Sequence, residues 1–179
     1  NAPLTSPEFN RTVFANVPNL RLTSKALDVI GRDREITHDF LTFLDSRDRS
    51  RPFFGFLFFD APHAMAVPPD EQLPFTPSLP EIDYLALNND YDRQPFFNRY
   101  LNSVHFVDEL VGQILKRFAA EEALMENTVI LITSDHGQEF NENRLNYWGH
   151  NGNFSRYQTG VPLVVAWPGR SAEEFHHRT

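Results

Sequence analysis

With 179 residues, 41% of them hydrophobic, the chain is one domain or a piece of a larger one and can bury a real core. A formal charge of −8 without a basic cluster excludes nucleic acid as a partner and argues against an anionic membrane surface; the densest basic stretch, residues 47–51, is broken by Asp48. The absence of cysteine excludes disulfides and thiolate metal sites.

The first 30 residues or so, rich in Asn, Pro and Thr, read as an irregular lead-in. From about Asp33 to Ser46, Ile36, Phe40, Leu41, Phe43 and Leu44 recur at helical spacing, with Asp33 and Glu35 near the start. The apolar run 53–59 is too short to cross a membrane and lacks polar alternation, so it reads as a strand buried on both faces of a parallel sheet. Six prolines between residues 62 and 80 predict an irregular crossing segment. Phe97, Tyr100, Leu101, Val104, Val107, Leu110, Val111, Ile114 and Phe118 mark one face of a long helix over about 95–121. Residues 128–133 and 161–167 read as two further strands. Strand, long helix, strand predicts an α/β fold with a parallel-rich sheet and helices on both faces. No signal peptide is visible, and any membrane anchor is expected outside the chain.

The chemistry gathers at predicted strand ends, where parallel α/β sheets place their ligands. Asp135 and His136, in Ser134-Asp135-His136-Gly137 after strand 128–133, are good donors for a divalent metal. Gly137 would let the chain turn sharply. His150, between Gly149 and Gly152, can hydrogen-bond a phosphoryl or sulfuryl oxygen or complete a metal site, and His63, in Asp60-Ala61-Pro62-His63, follows the predicted strand 53–59. These four residues are expected to share one crevice. His38 and His105 fall inside predicted helices and read as packing or surface residues. Asp60, Glu139 and Glu142 read as solvated. A flavodoxin-like domain unrelated to ester chemistry also fits the pattern, but no glycine-rich phosphate loop follows a strand.

In order along the chain, the segment 51–63 ending in Ala61-Pro62-His63, the helix 100–112, the strand leading to Asp135-His136-Gly137, and Gly149-His150-Asn151-Gly152 followed by 160–169 resemble the alkaline phosphatase superfamily, sulfatase-like branch. Among its members they are most similar to the inner-membrane sulfatase-like (YejM/PbgA-like) family of Gram-negative bacteria. Enzymes like lipoteichoic acid synthase and phosphoethanolamine transferase are neighbours. The resemblance implies that the chain is a single, incomplete sulfatase-like domain, the C-terminal part of a periplasmic domain of an inner-membrane protein. It implies Asp135 and His136 as ligands of a divalent metal (Mn, Mg, Zn or Ca), His63 and His150 as substrate-binding residues, and a nucleophile upstream. The substrates it implies are phosphate or sulfate esters, lipid-linked ones included. The parent protein is then a hydrolase or ester transferase, and this chain by itself is expected to be inactive. The alternative is a non-catalytic regulatory domain that binds a lipid or a partner.

Overall fold

The computed structural model describes residues 8–18, 20 and 22–170. They form two compact units, one of residues up to Ile82 with Gln94–Leu115, the other of Asp83–Arg93 with Lys116 onward.

In the first unit, helix α1 (Val29–Ser46) starts four residues earlier than the apolar spacing predicts, because Asp28 caps it by accepting the Gly31 N–H at 2.7 Å. Such a cap is worth about 1 kcal/mol. The buried face is Ile30, Asp33, Thr37 and Leu44, so Asp33 sits one turn inside the helix, fully buried. There it accepts the N–H groups of Asp60, at 3.0 and 3.1 Å, and Ala61, at 2.9 Å. These bonds anchor the single-turn helix α2 (Ala61–Ala64). Ile30, Ala61, Phe106 and Leu110 form the core, with Val29, Phe59, Ala66 and Val107 packed around it.

Helix α3 (Gln94–Ala119) buries Phe96, Phe106, Leu110, Ile114 and Phe118, together with the polar Asn98, Asn102 and Ser103, while Val104 is exposed. The buried face is therefore offset from the purely apolar stripe. The proline-rich segment accounts for the polar members. Proline lacks an N–H, so this segment cannot build a backbone ladder, and side chains of α3 satisfy it instead. Asn102 pairs with both backbone groups of Phe75, at 3.0 and 2.9 Å. Asn98 donates to the Pro77 carbonyl, and Arg99 donates to those of Leu79 and Pro80.

The run 53–59 has no regular secondary structure and joins no ladder among the described residues, and Phe54, Phe56 and Phe58 are exposed. This corrects the expected strand. Extended chain becomes a strand only when neighbours accept its hydrogen bonds.

In the second unit, the short helix α4 (Glu122–Glu126) leads into β1 (Ile130–Thr133), which pairs with β4 (Leu163–Ala166). Between them, β2 (Glu139–Phe140) pairs with β3 (Trp148–Gly149), and a single turn of helix, α5 (Arg156–Thr159), precedes β4. Both ladders are antiparallel. Neither of the two two-stranded sheets among the described residues is parallel, because the segment between β1 and β4 is taken up by the β2–β3 ribbon and one helical turn; the mixture of helices and strands keeps the chain in the expected α/β class. Leu131, Leu163 and Val164 are exposed on the β1–β4 pair. No helix among the described residues is long and apolar enough to cross a membrane.

Burial pushes the Asp33 carboxyl above the usual carboxylate range, and the Ala61 and Asp60 N–H groups pull it partly back. A carboxyl whose folded value is raised adds stability below its unfolded value and loses that contribution as pH rises through the folded value. Asp33→Asn keeps an acceptor that cannot ionise. The stability of the parent relative to Asp33→Asn should therefore fall as pH is raised from about 3 to about 7 in urea unfolding. A relative stability that climbs with pH would contradict this burial account.

Candidate functional site

The segment after β1 is held by two backbone constraints. Thr133 Oγ1 donates to the Pro162 carbonyl at 2.8 Å, tying the end of β1 to the approach to β4. The Gly137 N–H donates to the Gln158 carbonyl at 2.8 Å, and a Cβ on Gly137 would lie 2.1 Å from the Tyr157 oxygen. Gly137 is needed for this close approach of backbone to α5. The sharp turn expected of it is not its role, since its φ is not among the positive ones.

Asp135 is exposed and His136 half-buried. The Asp135 Oδ1 accepts the His136 N–H at 3.1 Å and lies 3.8 Å from His136 Nε2. His136 Nδ1 is 2.9 Å from the Gly137 carbonyl. A carbonyl only accepts, so Nδ1 carries the hydrogen and Nε2 keeps its lone pair. The ring of His136 stacks on that of His150, with centroids 4.2 Å apart and planes at 23°. His150 Nδ1 donates to Gln138 Oε1 at 2.9 Å, which places its lone pair on Nε2. Gly149, at φ +92, turns the chain from β3 into His150.

Beneath this group lies Glu139, fully buried and not solvated as its sequence context indicates. Its Oε2 accepts from Gln158 Nε2 at 2.8 Å, Asn153 Nδ2 at 2.9 Å and Ser155 Oγ at 3.1 Å; Oε1 accepts from Asn143 Nδ2 at 3.5 Å. Taking a carboxylate out of water is costly, and these neutral donors offset that cost. Glu139 thus fastens the β2–β3 ribbon, which carries His150, to the loop and helix that press on Gly137. Glu142 is half-buried and accepts the Phe140 N–H at 2.8 Å.

The structure therefore brings Asp135, His136 and His150 together and supplies the two residues that position them, Gln138 and Glu139. His63 belongs to the other unit. It sits in α2 with Nδ1 3.6 Å from Asp60 Oδ1, and Asp60, itself largely covered, also faces Arg32 at 3.8 Å. His105 is exposed on α3 and lies edge-on to Phe75, with ring centroids 6.4 Å apart. His176 and His177 lie outside the described residues.

Among the described residues, no three of His, Cys, Asp and Glu are placed to hold a metal ion by themselves. Asp135 and His136 fit two positions of a divalent site. Their 3.8 Å separation can be spanned by two bonds of about 2.0–2.2 Å, and carboxylate plus neutral imidazole suits such ions.

The sequence matches the family described as sulfatase over residues 7–179. It is 34% identical to iduronate 2-sulfatase of Mus musculus over 91 residues, covering 51% of this chain and 16% of that protein. It is 34% identical to an uncharacterized protein of Haemophilus influenzae over 79 residues, covering 44% of this chain and 11% of that protein. A solved structure described under the metabolism of multiple glycosaminoglycans by Bacteroides thetaiotaomicron shares the fold, with a TM-score of 0.52 at 21% identity, over 81% of this chain and 31% of that one. The chain thus spans well under a third of the length of these two curated relatives.

One substitution tests how the group is held. Glu139→Ala strips four donors of their acceptor and should cost about 3 kcal/mol or more in urea unfolding. It should also shift the His150 ring resonances. Unchanged stability would mean that Glu139 does not hold this site together.

Proposed function

Because the chain belongs to the sulfatase family, matching it over residues 7–179, we propose that it supplies part of the metal and substrate site of a metal-dependent hydrolase or transferase acting on sulfate or phosphate esters. The observation that carries this reading is the Asp135–His136 pair at the end of β1, with His150 stacked on His136 at 4.2 Å. Asp135 Oδ1 and His136 Nε2 are the ligands this chain contributes. The remaining ligands and the nucleophile belong to the rest of a longer sulfatase domain. When bound, a divalent cation (Mn, Mg, Zn or Ca) would screen the ester oxygens and lower the nucleophile's pKa.

The chain's own residues bind and orient. The Gly137 carbonyl fixes the tautomer that puts the His136 lone pair on Nε2, the ligand atom on this reading. Gln138 fixes that of His150. Protonated, His150 donates from Nε2 to an ester oxygen; neutral, it accepts a proton there. His63 is a second substrate-binding histidine on this reading, by resemblance alone. The same resemblance supports a periplasmic setting, an inner-membrane parent of the YejM/PbgA-like kind, and lipid-linked esters among the substrates.

Release of sulfate and phosphate from aryl esters, with Mn, Mg, Zn or Ca added, tests the reading. The full-length protein should turn over, and Asp135→Ala should lower the rate by at least the roughly 10–100-fold that weakening a metal site costs. This chain alone should release nothing, because two ligands make too poor a metal site. Equal turnover by parent and Asp135→Ala would refute the assignment. Metal binding by the full-length protein without turnover would favour the regulatory alternative.

A further inference from the structure

A cavity of ≈ 380 Å³ lies in the second unit, between the loop 89–93 and the turn 141–144. That volume suits a small ligand. Its charged lining is mixed: Asp90, Asp92 and Glu142 face it together with Arg93 and Arg144. Asp90, Arg93 and Arg144 face it without a side-chain ion pair or hydrogen bond among the described residues. Glu142 spends one oxygen on the Phe140 N–H and keeps the other.

The charge balance selects the ligand. With Asp90 and Glu142 set against Arg93 and Arg144, an anion alone meets the carboxylates and a cation alone meets the guanidiniums. A hydroxyl does what both groups require: it donates to a carboxylate and accepts from a guanidinium. Neighbouring hydroxyls do so in pairs, matching the fork of an arginine. Asn89 adds a neutral amide. Tyr91 adds a ring, held edge-on by Trp148 at a centroid distance of 5.9 Å, against which the C–H face of a ring-shaped polyol can lie. We propose that this cavity is a binding site for a neutral sugar unit with vicinal hydroxyls. It is independent of the ester chemistry at Asp135 and His136, and it stands or falls without it.

The test is an amide-resonance titration of this chain with methyl glucoside, and separately with phosphocholine as a small zwitterion without vicinal hydroxyls. The glucoside should shift residues 89–93 and 141–144 with a dissociation constant on the order of 1 mM. Arg144→Asn should weaken binding about tenfold by removing charged hydrogen bonds. Asparagine is the right replacement because Arg144 is in the left-handed region, at φ 54, which asparagine tolerates. Asp90→Ala, at an exposed position, should weaken binding to a similar degree. Three outcomes would overturn the proposal: no shifts with the glucoside, shifts confined to residues outside the cavity, or a response to phosphocholine in its place. None of these readouts involves ester hydrolysis, so failure here is distinguishable from failure of the sulfatase reading.

Discussion

A carboxylate buried without a cation beside it must be surrounded by donors or neutralised, and Glu139 takes the first course. Its donors come from Asn143, Asn153, Ser155 and Gln158, all later in the chain. Satisfying one charge therefore gathers a loop, a ribbon and a helical turn around a single point. The same gathering presses Gly137 against the Tyr157 carbonyl, where no larger residue fits. Asp135 and His136 stand just before this clamp and Gln138 just after it. His150, at the far end of the ribbon, is brought back over His136 through Gln138. The arrangement of the candidate site follows from where the buried charge finds its donors.

Asp33 does comparable work in the first unit. It spends its acceptors on the backbone of Asp60 and Ala61 and so sets the start of α2, which carries His63. Both units thus place a histidine by burying a carboxylate near the segment that bears it. Both also leave apolar side chains uncovered: the phenylalanines of 53–59 in one, and Leu131, Leu163 and Val164 in the other. Side chains of that kind are built for burial on both faces. The chain spans 31% of the solved structure whose fold it shares.

Much of this was legible in the sequence. The long helix, the strand before Ser134, the strand before Trp167 and the Asp135-His136-Gly137 turn follow from periodicity and punctuation, which are local. Membership of the sulfatase family follows from the order of those segments. Apolar spacing places the start of α1 four residues late, at Asp33, because it passes over Asp28, an ordinary N-cap residue. The run 53–59 shows why apolarity alone does not make a strand: the property depends on neighbours. The buried face of α3 was missed because Asn98 and Asn102 look solvated until the proline-rich segment claims their hydrogen bonds. Glu139 was missed for the same reason, its donors lying up to 19 residues away. Distant partners decide the burial of polar residues, and periodicity carries no trace of them.

The central claim is that Asp135, His136 and His150 make one metal- and ester-facing group. The most direct measurement is paramagnetic broadening by Mn²⁺ in this chain, which registers a weakly held ion at partial occupancy. Low Mn²⁺ should broaden the His136 and His150 ring resonances together, ahead of the exposed His105, and Asp135→Ala should abolish the effect. Broadening that survives Asp135→Ala, or that begins at His105, would contradict the account.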